Sequence, residues 1–373
     1  MKHQIVYKEI NSYISFPHVV KINDQKLAMV FRHAGNLSAN AALENKVTHH
    51  DPDSRIKIVF SNDQGRSWSN PLIAYESSYG VNDPALTVLK DGTLLLRFVA
   101  LNVVKTKDAY KISQPIFSHR VEHELVSTVV GNIVCKSNNE GKTWSYLCLS
   151  DPQDIQGGCS RDPILELPDS SLIMPIYHGS PQRSEVASLI RSYDKGLTWQ
   201  NSSIIMSDDK GLNSQQQGKN FSETSLLHFG DGFLLAMVRT DETFYTDGGE
   251  FVPVGGIGEL STAISMDAGL SWTYPRKTGI YGTPGSLLRL NDGRILATYG
   301  YRKKPFGVRC CLSEDKGKTW LIDKEIIIRE DAPVWDCGYP FTIQFQNDEL
   351  FTVYYISDAA GLRHIASTRW VLK

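Results

Sequence analysis

The sequence predicts an all-β protein, a single six-bladed β-propeller that occupies residues 1–373. Two observations carry this prediction: an eight-residue motif with turn chemistry occurs five times, and a pair of apolar strands around a tight turn occurs six times. The strand pairs begin 56 to 79 residues apart, a spacing typical of propeller blades and longer than that of solenoid coils. Each blade is expected to contain four antiparallel strands.

The octets share Ser at the first position, Asp or Asn at the third, Gly at the fifth, Ser or Thr at the seventh and Trp at the eighth. They are SNDQGRSW (61–68), SNNEGKTW (137–144), SYDKGLTW (192–199), SMDAGLSW (265–272) and SEDKGKTW (313–320). An Asx side chain can bond the backbone of its own turn, Gly supplies a positive φ, and Trp covers an apolar surface. The octet therefore predicts the turn between the third and fourth strands of a blade.

The strand pairs carry alternating β-branched and aromatic residues on either side of a short turn, which mostly contains Asp, Asn or Gly. They span residues 16–32, 83–99, 162–178, 223–239, 283–302 and 339–355. This pattern is typical of β-hairpins. Since five of the six pairs are followed by an octet, each pair is expected to form the first two strands of a blade.

The last blade has no octet, and this absence has a structural explanation. Its third strand is predicted at residues 363–370, and the N-terminal segment 3–10 is expected to supply its outer strand. Such a closure pairs the beginning of the chain with the last blade and leaves no exposed edge there. No turn between the third and fourth strands is then needed.

Strand direction separates the two faces of the predicted propeller. Both kinds of turn lie on one face, whereas the starts of first strands and the ends of second strands lie on the other. The strand starts nearest the axis are Phe16, Asp83, Asp162, Glu223, Thr283 and Tyr339, and the strand ends outside them include Arg32, Tyr177 or His178, Arg239 and Arg302. Acids, a tyrosine and several arginines around one axis predict a pocket for an acidic ligand.

Asp83, Asp162 and the neighbouring Arg161 are candidate substrate-binding residues in this ring. Both aspartates precede a proline, so turn formation is the alternative role for them.

Composition excludes several other classes of function. The 39 basic and 41 acidic residues nearly balance, so neither a nucleic acid nor an anionic membrane is the expected partner. Six scattered cysteines without a CxxC motif predict neither a disulfide framework nor structural zinc. No spaced ligand set such as HExxH is present, so no metal or other cofactor is predicted. No signal peptide or membrane span is recognised, which makes a cytoplasmic location the default without excluding secretion.

The octets resemble the Asp boxes, or BNR repeats, of the sialidase (neuraminidase) superfamily, and the resemblance covers essentially the whole chain. It implies a glycosidase in which a tyrosine nucleophile is paired with a glutamate, an aspartate is the acid/base, and three arginines bind the substrate carboxylate. Glu223 at the start of blade four, Arg239 sixteen residues later and Tyr339 in CGYPFT stand at the corresponding positions. The resemblance therefore implies that Tyr339 is the nucleophile, Glu223 its base and Arg239 the second arginine.

Two family positions depart from this pattern. Ser15 in ISFPHVV stands where the first arginine is usual, and Arg32 at the other end of the hairpin is the candidate substitute. The acid/base is expected in the loop before the first octet, where THHDPDSR offers Asp51 as the first choice and Asp53 as the second. His49 and His50 are their neighbours, and either could transfer a proton. For the third arginine, Arg302 at a strand end fits better than Arg309 within a strand.

A tyrosine with a pKa of about 10 is a weak nucleophile and requires a base to take its proton. A neutral nucleophile suits an anionic sugar, because a carboxylate in its place would repel the substrate by about 4 kcal/mol at about 4 Å and an effective dielectric constant of about 20. The predicted function is hydrolysis, with retention, of a terminal acidic sugar, sialic acid or a related one, from an acidic oligosaccharide or glycoconjugate. The alternatives are a lyase or hydrolase for uronic-acid glycans that uses His and Tyr, and a non-catalytic glycan-binding propeller.

Overall fold

The computed structural model describes residues 1–35, 49–111, 119–122, 125–150, 158–180, 183–208, 217–245, 251–253 and 258–372. These residues form six antiparallel sheets, each with four strands in the blade order, and two of the sheets carry a short fifth strand. The predicted six-bladed propeller is confirmed.

Blades one to three follow the order of the chain. The strands of blade one are Tyr13–Lys21, Leu27–Ala34, Arg55–Ser61 and Leu72–Tyr75. Those of blade two are Gly80–Val88, Leu94–Lys105, Leu125–Ser137 and Ser145–Leu149, with the short strand His119–Glu122 beside the third. Those of blade three are Leu165–Glu166, Leu172–Ser180, Arg183–Ser192 and Gln200–Met206.

Blades four to six complete the circle. The strands of blade four are Gln217–Gly230, Phe233–Tyr245, Glu259–Ser265 and Arg276–Tyr281, with the short strand Phe251–Pro253 beside the second. Those of blade five are Gly285–Arg289, Ile295–Tyr301, Phe306–Ser313 and Ile326–Ala332. Those of blade six are Gly338–Gln344, Leu350–Ser357, Arg363–Trp370 and Lys2–Tyr7. The described helical turns are the 3₁₀ segments Thr106–Lys111 and Ile322–Lys324.

The propeller closes as the missing octet predicts. Strand Lys2–Tyr7 pairs antiparallel with Arg363–Trp370, so that Lys2 lies opposite Arg369 and Ile5 opposite Ala366. The first strand of the chain is thereby the outer strand of the last blade.

The octets form the predicted turns. In the first copy, Ser61 Oγ accepts a hydrogen bond from the Gly65 amide at 2.6 Å, and Gly65 has a φ of +82°. Asp63 accepts bonds from the Ser67 amide at 2.8 Å and from its hydroxyl at 2.6 Å. Burial opposes ionisation of Asp63, but the bonds from Ser67 and Ser61 outweigh it and lower its pKa to about 2.

The core lies between neighbouring blades, and the octet tryptophans contribute to it. Trp68 of blade one stacks on Phe351 of blade six with 6.2 Å between ring centroids. Trp144 of blade two packs with Ile58 and Phe60 of blade one. Each blade therefore buries its apolar faces against its neighbours, which fixes the strand starts around the axis.

All six cysteines are free thiols. None of the described helical segments is long and apolar enough to cross a membrane.

Candidate active site

Three strand starts share a backbone conformation that is rare outside glycine. Phe16, Asp83 and Tyr339 have φ values of +54°, +48° and +47°, and each precedes a proline. Each also lies where the pairing of the first two strands shifts register. Left-handed φ values on non-glycine residues are costly and concentrate at functional sites. These bulges give the inner ends of blades one, two and six a common geometry, and their three side chains line one cavity at the axis.

Tyr339 and Glu223 meet across the axis. The Tyr339 hydroxyl donates a hydrogen bond to Glu223 Oε1, and Arg239 Nη1 donates to Glu223 Oε2 at 2.7 Å. Arg239 Nε in turn donates to Asp241 Oδ2 at 2.6 Å. The three residues that match the sialidase pattern are therefore brought together, and Asp241 joins them.

The charges at this point favour an ionised Glu223 beside a neutral phenol. Burial by itself would raise the pKa of Glu223, but Arg239 and the hydrogen bond from Tyr339 outweigh it, and the pKa is lowered. Burial, together with the charges of Glu223 and Asp83, holds the pKa of Tyr339 well above its usual range. The pair can thus act as a phenol and its base.

Arg302 lies beside Tyr339, with its guanidinium carbon 5.8 Å from the Tyr339 ring centroid and 5.2 Å from that of Trp335. Its Nε and Nη2 atoms are covered and have no hydrogen-bond partner among the described residues. These two atoms form one edge of the guanidinium, the fork that matches a carboxylate. Arg309 lies elsewhere: it donates to Glu325 at 2.5 Å and stacks on Tyr301.

Arg161 and Asp162 connect blades. Arg161 donates to the carbonyl oxygens of Gly285 at 2.6 Å and Pro340 at 2.9 Å, and its guanidinium carbon lies 5.5 Å from the Tyr339 ring centroid. Asp162 Oδ2 accepts a bond from the Leu226 amide at 3.0 Å. These bonds fix the starts of blades three to six relative to one another.

Arg97, which was not predicted from the sequence, connects blades two and three. It is buried and donates to the carbonyl oxygens of Asp83, Ser160 and Asp162, each at 2.7 Å.

A small cavity lies at the axis beneath Tyr339. Its lining residues are Phe16, Pro17, His18, Asp83, Pro84, Arg161, Asp162, Tyr339 and Phe341. Two of its buried polar atoms, Asp83 Oδ1 and His18 Nε2, have no hydrogen-bond partner in the described structure. Burial, with the charge of Glu223 adding to it, raises the pKa of Asp83 to about 7. The ring therefore contains a carboxyl group that holds a proton near neutral pH.

The residues of blade one are covered. Arg32 is completely buried and donates to the carbonyl oxygens of Val81 at 2.8 Å and His49 at 3.3 Å. Ser15 is buried as well. Asp51 is buried, and its Oδ1 accepts a bond from the Asp53 amide at 2.8 Å.

His49 is connected to the tyrosine through the ring of Phe16. Its ring centroid is 5.2 Å from that of Phe16, which is 4.6 Å from that of Tyr339. Burial lowers the pKa of His49 to about 4, against the opposing charge of Asp336. His50 bonds Ser127 Oγ at 2.6 Å.

Asp336, three residues before the tyrosine, is the centre of a buried network that the sequence reasoning also missed. It accepts bonds from Tyr13 at 2.8 Å and Tyr355 at 2.7 Å and is paired with Arg363 Nε. The pKa of Asp336 is lowered, because Arg363 and other cations outweigh its burial. The network fixes the segment that leads into Tyr339.

Some sequence signals could have located the missed residues. Arg97 interrupts the apolar run LLLRFV, and a charge in such a strand indicates a buried hydrogen-bonding role. Asp241 follows Arg239 by two residues and shares its side of the strand. Glu185, in strand Arg183–Ser192 of blade three, was also missed and has no such signal. Burial raises its pKa to about 7, with Arg239 opposing and Asp241 adding to the shift. In the described part of the chain, no group of three or more His, Cys, Asp or Glu side chains is placed to hold a metal ion.

The family model of the BNR repeat-like domain matches residues 41–353. No curated protein sequence matches the chain. Among solved structures, a Dyadobacter fermentans protein of unknown function superposes with a TM-score of 0.83 at 26% identity, over 100% of this chain and 98% of that one.

Two glycosidases share the fold at lower identity. The NanB sialidase from Streptococcus pneumoniae, as a K499G mutant, gives a TM-score of 0.64 at 14% identity and is matched over 70% of its length by 99% of this chain. A Penicillium chrysogenum alpha-L-arabinanase complexed with arabinobiose gives a TM-score of 0.66 at 12% identity, over 100% of this chain and 98% of that one. At these identities the likeness concerns the fold.

Proposed function

The chain belongs to the family of BNR repeat-like domains, and we propose that it is a sialidase-type exo-glycosidase that removes a terminal acidic sugar from a glycan. The observation that carries this proposal is the hydrogen-bonded series Tyr339–Glu223–Arg239 at the axis. A tyrosine hydroxyl bonded to an ionised carboxylate is an activated nucleophile. The unpartnered fork of Arg302 beside it supports a carboxylate ligand.

In the first step, the Tyr339 oxygen bonds to the anomeric carbon while Glu223 accepts the phenol proton and the bond to the leaving-group oxygen breaks. Asp51 is the proposed donor of a proton to that oxygen. In the second step, water attacks the anomeric carbon, Asp51 accepts a proton from the water, and Tyr339 recovers its proton from Glu223. Two displacements at one carbon retain the configuration.

Substrate binding is assigned to the arginines around this pair. Arg302 binds the sugar carboxylate through its Nε and Nη2 atoms. Arg239 adds positive charge and keeps Glu223 ionised. Arg32 is the third proposed cation, and it acts from a buried position through the field it adds. We assign Arg161, Asp83 and Asp162 to the floor of the pocket beneath the sugar, because all three line the axial cavity.

The test is hydrolysis of an aryl α-sialoside by the wild-type chain and by Tyr339→Phe. The substitution removes the nucleophilic oxygen and keeps the ring, so the rate is expected to fall by at least about a hundredfold. Acid quenching during turnover, followed by peptide mass spectrometry, should find the sugar on Tyr339. Tyr354→Phe, which removes a buried hydroxyl of the same blade that bonds Thr368 and not Asp336, is the matched control and should not lose the adduct.

Three results would contradict the proposal. Full activity of Tyr339→Phe would exclude the tyrosyl mechanism. A product that absorbs in the ultraviolet, released from a uronic-acid glycan, would indicate a lyase, and His49, held neutral beside Phe16, would then be the residue to replace. Binding of acidic glycosides without turnover would indicate a glycan-binding propeller.

A further inference from the structure

Two exposed aromatic side chains lie at or just after the ends of the outer strands of blades four and five, each close to a cation. Tyr281 is 47% exposed and Trp335 is 45% exposed. Lys303 Nζ lies 4.5 Å from the Tyr281 ring centroid, and the Arg302 guanidinium carbon lies 5.2 Å from that of Trp335. The two cations are consecutive in the chain, so the two ring–cation pairs are neighbours.

Strand direction places this surface on the same face as Tyr339. Strand Arg276–Tyr281 is the outer strand of blade four and ends just before the start of blade five. Strand Ile326–Ala332 has the same position in blade five and ends just before Trp335. Strand Ile295–Tyr301 ends just before the two cations. In an antiparallel blade, the second and fourth strands end on the face where the first strand starts.

The surface is continuous with the candidate active site. The Arg302 guanidinium carbon lies 5.8 Å from the Tyr339 ring centroid and 5.2 Å from that of Trp335, so it is close to both rings. Lys303, the next residue, is close to Tyr281. The surface therefore begins beside the position proposed for the cleaved sugar.

Half-exposed rings beside cations have the chemistry of a site for an anionic sugar. The apolar face of a pyranose ring packs on an aromatic face, and a carboxylate or sulfate on the sugar pairs with the cation. A ring that packs in the core is covered instead, as Tyr13 and Tyr354 are.

We propose that Tyr281, Lys303 and Trp335 form a second sugar subsite, which binds an anionic sugar unit adjacent to the sugar that is cleaved. This inference rests on the proposed glycosidase function. It assigns a preference for glycans in which two neighbouring units carry acidic groups, whether carboxylates or sulfates.

The test compares substrates that share a terminal sialic acid and differ in the next unit. They are an aryl α-sialoside, a sialyl-lactose with a neutral second sugar, its sulfated form, and an α-linked disialyl substrate. The wild-type chain should show its lowest KM for a substrate with an anionic second unit. The sulfated and disialyl substrates distinguish the two sources of the charge.

Lys303→Met keeps the aliphatic stem and removes the charge. It should raise KM for the anionic substrates relative to the aryl sialoside by about twofold to fivefold, the range of an exposed ion pair. The effect should shrink as salt is added. Tyr281→Ala should raise KM for all three oligosaccharides, and Tyr281→Phe should restore it. Tyr146→Ala, an exposed ring on the outer strand of blade two, is the matched control and should change none of these ratios.

Equal KM ratios in the wild-type chain and Lys303→Met would overturn the subsite while leaving the glycosidase function intact. If none of the sialosides is cleaved, the proposed function fails by itself, and the subsite is decided by titrating the disialyl compound against the chain. Weaker binding to Lys303→Met and Tyr281→Ala than to Tyr146→Ala would support the subsite, and unchanged or absent binding would refute it.

Discussion

Asp83→Asn should stabilise the protein at alkaline pH and have little effect in acid. The carboxyl is buried, its Oδ1 has no hydrogen-bond partner among the described residues, and burial and Glu223 raise its pKa to about 7. Since the folded pKa exceeds the unfolded one, the stability is fully present below a pH of about 4 and is lost as the pH rises through about 7. At about 1.36 kcal/mol for each pKa unit, this shift of about three units corresponds to a loss of about 4 kcal/mol. Asparagine has no carboxyl group to ionise, so it avoids this loss of stability, and it tolerates the same left-handed φ.

Urea unfolding at several pH values measures this difference. The variant should exceed the wild-type free energy of unfolding by about 2 to 4 kcal/mol at pH 8, and the gap should close to less than about 1 kcal/mol at pH 4. The Arg97 bond to this residue reaches its backbone carbonyl, so the substitution leaves it in place. A variant that is no more stable than the wild type at pH 8, or a gap that does not change with pH, would refute the reasoning.

Three further predictions concern the scaffold and are checked by the urea midpoint. Asp63→Asn should destabilise at neutral pH, with the loss disappearing as the pH falls through about 2, because the folded pKa of this carboxyl is lowered. Gly338→Ala should cost more than Gly92→Ala: both residues have a positive φ, but at Gly338 the added carbon would lie 2.7 Å from the Cα of Gly300, whereas at Gly92 it meets open space. Arg97→Met leaves three buried carbonyl oxygens without their donor and should cost about 3 kcal/mol or more, and a loss below about 1 kcal/mol would contradict its role.

The blade frame could be predicted because its signals are local. An octet turn needs its Asp or Asn, its Gly and its Trp at fixed offsets, and the structure uses each of them as the chemistry requires. The missing sixth octet predicted that the first strand of the chain closes the last blade, and the pairing of Lys2–Tyr7 with Arg363–Trp370 confirms this. Repetition made these signals stronger than any single motif would have been.

The network around the candidate site could not be predicted because it depends on contacts between distant parts of the chain. Arg161 reaches the carbonyl oxygen of Pro340, 179 residues away, and Tyr13 reaches Asp336, 323 residues away. Neither partner has a local pattern that marks it, so strand order alone leaves these pairs unspecified. The burial of Arg32 could not be predicted either, because Arg32 and Arg239 both stand at the end of a second strand in the sequence pattern.

Charge compensation decides how these arginines can contribute to binding. Arg239 is paired with both Glu223 and Asp241, so much of its charge is already neutralised within the site. Arg32 is completely buried and bonds backbone oxygens. Arg302, with its covered Nε and Nη2 edge unbonded among the described residues, gains the most from an incoming carboxylate, since a buried donor without a partner costs about 1 to 3 kcal/mol. Selection for the proposed acidic sugar should therefore depend on Arg302 first, and a lysine there, which lacks the planar fork, should not replace it.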